Sequence, residues 1–408
     1  MADLLPVADA LARILAAASP VTASETVDLD TAEGRVLATD IAARLTQPPF
    51  DASAMDGYAL RAADAPDIGA QFSVIGESAA GKAFDGTVGR GQAVRIFTGA
   101  PVPPGADAIL LQEDATRLEA GRIATTYPVT QGKHIRPRGQ DFTEGDIVLR
   151  DGQLLDFSRL TLAAAANHSQ LEVYRKPKVA ILATGDELVR PGMTPGPSQI
   201  VASNNFGIAA LARDCGAEVI DLGIAPDRPE AIADSVRRAV ATKADVLITL
   251  GGASVGDHDL VQSTLVSLGM TLDFWRIAMR PGKPLMVGSL EGMQVLGLPG
   301  NPVSSLVCGL LFLEPLLLAL GHRPQSSRKM SAIAGKALKE NDKRQDHLRA
   351  KLARGQTGAL VATAFDLQDS SMTRVFAEAD CLIVRAPFAA AAQAGDTVEV
   401  LLTRPLSC

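Results

Sequence analysis

The 408-residue sequence is short of several things, and each shortage excludes a class of protein. Aromatic side chains are few, with 1 Trp, 3 Tyr and 12 Phe, so stacking platforms for exposed bases are not expected. Positive charge is not in excess: 39 Lys and Arg against 46 Asp and Glu leave a formal charge of −7, which offers no chain-wide handle for nucleic acid or anionic lipid. Any anion must therefore be bound locally. The four cysteines, Cys215, Cys308, Cys381 and Cys408, form neither a CxxC pair nor a secreted-scaffold spacing, and read as reduced thiols in a cytoplasm. Five isolated histidines show no metal-ligand spacing, and no Ser-His-Asp order with a nucleophile elbow is present. The most apolar run, residues 306–320, falls short of the ~20 residues that span a bilayer and is interrupted by Glu314-Pro315, so no membrane segment is expected. Leu4, Val7, Leu11, Ile14 and Leu15 recur at helical spacing, the pattern of an amphipathic helix rather than a signal peptide.

What is present is globular: 47% hydrophobic and 21% charged residues, in a chain long enough for two to three domains of ~150 residues. Between residues 72 and 149 short alternating apolar runs are punctuated by Gly- and Pro-rich turns, which predicts a small, mostly-β domain. From residue 179 the pattern becomes strand (179–184), helix (205–215), strand (218–222), helix (229–241), strand (246–250) and helix (260–268). Strands near 272–277 and 293–298 follow, and then a helix opened by Asn301-Pro302. Continuous apolar strands alternating with helices predict a parallel sheet covered on both faces. After residue 325 the chain turns polar and strand-like, as in a separate small β domain.

Ligands of open parallel sheets sit beyond the carboxyl ends of the strands, and three loops there carry chemistry. Thr184-Gly185-Asp186-Glu187 presents adjacent carboxylates suited to Mg²⁺, to a general base, or to capping the next element. The segment from Gly251 to Asp259 lets backbone N–H groups approach a phosphate ahead of a helix, yet its spacing is neither a Walker loop nor a dinucleotide fingerprint. Arg280-Pro281-Gly282-Lys283-Pro284 and Leu298-Pro299-Gly300-Asn301-Pro302 add two cations and a bare helix N-terminus, predicting a cationic, N–H-rich sheet edge. In the β-rich part, Ser53-Ala54-Met55-Asp56-Gly57-Tyr58, Thr98-Gly99-Ala100-Pro101 and Arg136-Pro137-Arg138-Gly139-Gln140-Asp141 read, by themselves, as turns with one acid or hydroxyl each.

Taken in order, these motifs resemble the molybdopterin molybdenumtransferases, the family of bacterial MoeA and the E domain of gephyrin-like proteins, essentially from end to end. The SAMDGY and LPGNPVS strings are the most specific. The resemblance implies an elongated homodimer of α/β-plus-β, multidomain subunits. Residues 1–46 and 147–176 would form a discontinuous N-terminal dimerisation domain and 47–146 a small β-rich domain. Residues 177–325 would form a doubly wound, largely parallel, MogA-like α/β domain that holds molybdopterin, and 326–408 a C-terminal β-barrel-like domain. It implies insertion of molybdate into adenylylated molybdopterin with Mg²⁺-dependent release of AMP. By the same resemblance Asp56, Thr98 and Asp141 reach in from the partner subunit's β domain, while Glu187 and Asp259 stand at the α/β strand ends as catalytic groups. Asp186, Glu187 and Asp259 are expected to hold Mg²⁺. Ser203, Asn204, Gly251, Gly252, Ser254, Gly256, Asp257, Arg280, Lys283, Pro284, Pro299, Gly300, Asn301, Pro302, Arg349 and Ser371 are expected to bind substrate. Of these, Lys283, Pro284, Arg349 and Ser371 (or Ser370 in its place) would form a molybdate pocket. Transient contact with the molybdopterin adenylyltransferase and with molybdoenzyme apoproteins or their chaperones is implied, in the cytoplasm, with no nucleic acid and no membrane.

The chain departs from that pattern at Ala52, Ala202, Leu250 and Arg280, where Asn, an acid, a small hydroxyl residue and Lys are usual; Ala202 and Leu250 each remove a polar contact available to the pterin or nucleotide. A dimeric peptide-binding scaffold and the adenylyltransferase that shares the α/β domain are the competing classes. The retained carboxylates and lysine weigh against the first, and the extra β domains against the second.

Overall fold

The computed structural model describes residues 4–251, 260–325, 327–355 and 358–404. The chain divides into two compact units, one holding the residues up to Glu25, Gly34–Val36 and everything from Tyr174 onward, the other holding Thr26–Glu33 and Leu37–Val173.

The first unit is built on a six-stranded sheet in the order Glu218–Ala225, Lys178–Thr184, Val246–Leu250, Met293–Leu298, Pro284–Leu290, Thr271–Arg276. The first four strands run parallel and the last two are antiparallel additions. Lys178–Thr184 is buried along nearly its whole length, and its side chains alternate between two cores. Val179, Ile181 and Ala183 face one core with Leu296, Leu298 and Val307, whereas Ala180 and Leu182 face the other with Ile232, Val236 and Leu265. The opening helix, Val7–Ala16, buries Val7, Ala10 and Ile14 in the first of these cores. The strand Pro284–Leu290 escapes sequence reading because its hairpin to Met293–Leu298 turns on Glu291-Gly292, both at positive φ, rather than on the usual Asn-Gly.

The run expected to break at Glu314-Pro315 does not break. Pro302–Cys308 and Glu314–Leu320 are α-helical and are joined through a π-helical turn, Gly309–Leu313. Placing the wide turn just before Pro315 lets the ring and its missing N–H enter without ending the helix. The 19 residues Pro302–Leu320 are long and apolar enough to cross a membrane, with mean hydropathy 2.2, but 78% of the stretch is buried inside this unit, so it is a core helix. Glu314 is buried with it and accepts hydrogen bonds from Arg328 Nε at 2.7 and 2.8 Å.

The C-terminal region closes into a five-stranded barrel. Gln345–Arg354, Leu360–Ala364, Lys329–Ala334, Thr397–Leu402 and Cys381–Arg385 pair in succession, and the last returns to the first. Leu382 and Leu401 leave the barrel wall to pack into the α/β core. A two-residue strand, Met279–Arg280, pairs with Gln345–Asp346 in parallel. Cys215, Cys308 and Cys381 are free and buried, and burial pushes the first and last up to about 12; Cys408 lies outside the described residues.

The second unit contains a six-stranded sheet ordered Ala108–Leu111, Gly57–Leu60, Gln92–Ile96, Gln71–Ser78, Arg122–Thr125, Ala115–Leu118. A separate core of Leu37, Ile41, Leu149, Leu155, Leu171 and Val173 packs under the helix Phe157–Ala165. The carboxylate of Asp156 caps that helix, accepting from the N–H groups of Ser158 and Arg159.

Candidate functional site

A cavity of about 870 Å³ opens at the carboxyl edge of the parallel strands, and each loop around it is shaped by its sequence. At the end of Lys178–Thr184 the chain turns at Gly185, whose φ is +145°. A Cβ there would stand 2.3 Å from Glu187 Oε2, so the carboxylate of Glu187 folds back into space that only glycine leaves free. Leu188–Val189 then pairs in parallel with Ile200–Val201, which delivers Ser203 and Asn204 to the cavity at the start of the helix Asn204–Asp214. Asn204 Nδ2 donates to Gly300 O at 2.7 Å and ties this helix to the next loop. Gly251, at the end of Val246–Leu250, has φ +97°, and a Cβ on it would come within 2.8 Å of Thr184 O. Two strand ends are thereby held backbone to backbone beside Gly300.

Of the residues singled out from sequence, the cavity gathers Glu187, Ser203, Asn204, Gly251, Pro284, Pro299, Gly300, Asn301, Pro302 and Ser371. Ser371 comes from the barrel; its hydroxyl donates to Asp369 Oδ1 at 2.6 Å, which helps hold Asp369 below the usual carboxylate range. Ser370 is engaged otherwise, its carbonyl accepting the Val303 N–H at 3.1 Å. Gly252, Ser254, Gly256, Asp257 and Asp259 lie outside the described residues.

Other expectations land beyond the cavity wall. Asp186 is exposed, and its Oδ1 accepts the Asp227 N–H at 3.2 Å. Arg280 points to the barrel, with Nη2 2.6 Å from Asp346 Oδ2 and Nη1 3.2 Å from Asp342 Oδ2, and its pKa is raised chiefly by that first hydrogen bond. Lys283 is half-buried, and the cavity-lining residue of its loop is Pro284. Arg349 is 1% exposed; burial lowers its pKa, Nη2 donates to Asp369 O, and Nε has no partner. Among the described residues no Lys or Arg lines the cavity, while Glu187 and Asp227 do. Among the described residues the cavity wall is thus acidic where a cationic sheet edge was expected: Arg280 is engaged by the barrel's carboxylates, and Lys283 does not line the wall.

In the second unit, Asp56 and Thr98 form a pair: Asp56 Oδ1 accepts the Thr98 N–H and hydroxyl, both at 2.8 Å. These bonds, the backbone one first, hold the Asp56 carboxyl below its ordinary range. Asp141 is exposed, its N–H donates to Gln47 O at 3.0 Å, and it borders a shallower cavity of about 610 Å³.

Sequence reading missed Asp227 and Asn205, and the apolar wall of Leu188, Ile200, Val201, Leu260 and Val261. Asp227 was within reach, since it follows the parallel strand Glu218–Ala225 and the strand-end rule applies to it equally. Ala202 and Leu250, two of the departures, both line the cavity and extend its apolar wall.

Three family models match the chain: MoeA N-terminal region (domain I and II) over residues 5–167, probable molybdopterin binding domain over 180–319, and MoeA C-terminal region (domain IV) over 331–403. The molybdopterin molybdenumtransferase of Haemophilus influenzae is 37% identical over 381 residues, 93% of this chain and 94% of that protein. That of Nostoc sp. is 40% identical over 305 residues, 73% of this chain and 70% of that one. Two crystal structures of a molybdopterin biosynthesis MoeA protein from Pyrococcus horikoshii superpose with TM-scores of 0.84 and 0.82, at 31% and 27% identity. They cover 99% and 98% of this chain and all of theirs.

Proposed function

The chain belongs to the MoeA family of molybdopterin molybdenumtransferases, and from that membership we propose that it inserts molybdate into adenylylated molybdopterin with Mg²⁺-dependent release of AMP. It is a transferase of molybdenum cofactor biosynthesis. The observation that carries the finer reading is the strand-end cavity, where a glycine-cradled carboxylate, two helix N-termini and a serine from the barrel converge.

A phosphoanhydride brought to a cavity lined by Glu187 and Asp227 meets like charge, which a cation bound at the strand ends would offset. Carboxylate oxygens are the donors Mg²⁺ prefers. Glu187 and Asp186, with Asp259 outside the described residues, are the groups assigned to hold it; among the described residues no set of three such ligands stands together. When bound, Mg²⁺ neutralises charge on the leaving phosphate and activates an oxygen nucleophile. The chain's own part is to orient. Asn204 fixes the Gly300 turn, Gly251 and Gly300 keep the backbone open to close approach, and the N-termini at Asn204 and Pro302 favour negative charge. Lys283, Pro284, Arg349 and Ser371 are assigned to molybdate, supported by a buried guanidinium whose Nε lacks a partner.

Asp56, Thr98 and Asp141 are assigned to the same reaction from a second copy, in a cytoplasmic homodimer that meets the adenylyltransferase and molybdoenzyme apoproteins or their chaperones in passing. Supporting this is a carboxylate held below its ordinary range by the hydrogen bonds of Thr98, on a turn whose motif lies outside the α/β domain. The test is AMP release from adenylylated molybdopterin with Mg²⁺, with and without molybdate. Molybdate-dependent release supports insertion; pterin binding without release points to a scaffold, and consumption of ATP on free molybdopterin to the adenylyltransferase.

A further inference from the structure

We propose that Arg280 is a positioning residue, clasping the C-terminal barrel to the sheet edge through Asp346 so that Ser371 is seated in the cavity. The inference rests on the insertion reading of that cavity.

The receptor for Arg280 is built from groups already fixed within the barrel. Asp346 is 8% exposed, and its Oδ1 accepts the His347 N–H at 3.0 Å, leaving Oδ2 for the guanidinium at 2.6 Å. Asp342 Oδ1 accepts the Arg344 N–H at 2.9 Å, and Asn341 Nδ2 donates to the carbonyls of Arg344 and Ala386. Arg280 then meets Asp342 Oδ2 at 3.2 Å and Asn341 Oδ1 at 3.4 Å. A buried carboxylate in that position requires its cation, and a planar guanidinium answers it with fixed direction.

The backbone follows the side chains. Met279 and Arg280 pair with Gln345 and Asp346, and the Gln345 N–H donates to Ala278 O at 2.8 Å. From this stitch the loop runs on to Pro284 in the cavity wall, while the barrel runs on to Ser371 in the same wall. The apolar contacts of Leu382 and Leu401 and the buried Arg328–Glu314 pair hold the barrel on the core, and none of these residues lines the cavity. Near the cavity the register is carried by the bond from Val303 N–H to Ser370 O at 3.1 Å. The clasp at Arg280 adds a directional ionic tie on the loop that leads to Pro284 in the cavity wall.

The experiment uses the full chain as Arg280→Met, Asp346→Asn, the double variant and Arg280→Lys, read by molybdate-dependent AMP release and by amide exchange at Val303 and Gln345. Each single variant should lower kcat about tenfold, leave KM for the adenylylated pterin within about twofold and speed exchange at both amides. The double should be no worse than either, and lysine should restore most of the rate. A raised KM in Arg280→Met with Asp346→Asn silent would show Arg280 binding substrate directly and overturn the clasp, as would unchanged exchange at Val303. If Asp346→Asn does not fold, Arg280→Met and Arg280→Lys decide the matter through the same split and the same exchange. If the wild type releases no AMP, the insertion reading has failed, and exchange at Val303 still tests the clasp.

Discussion

His347 should make the barrel acid-labile, by an amount that can be worked out. Its ring is fully buried on the strand Gln345–Arg354, with Nε2 3.0 Å from Gln345 Nε2 and Nδ1 without a partner. Burial pushes its pKa down to about 4; the Arg280 carbonyl and the charges of Asp346 and Glu399 oppose this in part, and Lys329 adds to it. The unfolded chain titrates near the ordinary 6.5, so between pH 6.5 and 4 the unfolded state binds more protons and stability falls as the pH falls. Going from pH 7 to pH 5 should remove roughly 2 kcal/mol through this residue alone. His347→Leu replaces the half-satisfied ring with an apolar group and should flatten the dependence by that amount. Hydrogen exchange of the Leu382 and Ile383 amides, in the strand paired with His347, measures the opening free energy at both pH values. An equal loss in wild type and variant would refute the argument.

Under the proposed role of Glu187, Gly185→Ala should displace its carboxylate from beside the glycine and cost about a hundredfold in AMP release, since small misplacements at a reacting centre are that expensive; wild-type kinetics would show the placement to be incidental. Thr98→Val removes the hydroxyl donor, so Asp56 should titrate higher than in the wild type by ¹³C NMR; an unmoved value would mean that the hydroxyl does not hold the carboxylate. Arg328→Met strands the buried Glu314 and should destabilise the first unit by about 3–5 kcal/mol in thermal denaturation, whereas a change within error would show the pair to be dispensable. Mixing Asp56→Asn chains with Glu187→Gln chains should restore about a quarter of wild-type activity if each site draws on two copies, and none if it does not.

Much of the architecture was legible because it rests on local pattern. The strands Lys178–Thr184 and Val246–Leu250 are continuous apolar runs, and the helix after Asn301-Pro302 carries its own start signal. What escaped depends on context. Pro284–Leu290 needs its hairpin partner to be seen, and the helix through Pro315 needs a π turn that no propensity announces. At the site, glycines and carboxylates at strand ends were readable because the strand-end rule locates them. The direction of Arg280 was not, because the acids that claim it, Asp342 and Asp346, lie some sixty residues away in sequence and act only once the barrel has docked. The apolar wall was equally hidden, since Ile200, Val201 and Val261 read as ordinary strand and helix residues.

Whether molybdenum enters the pterin at the strand-end cavity is decided by the metal content of the pterin product. Wild type and Glu187→Gln, each given adenylylated molybdopterin, Mg²⁺ and molybdate, would be compared by pterin-bound molybdenum after one turnover. About one molybdenum per AMP released is expected of the wild type, and binding of the substrate without transfer of the variant. Equal transfer by both proteins would place the chemistry elsewhere in the molecule and contradict that expectation.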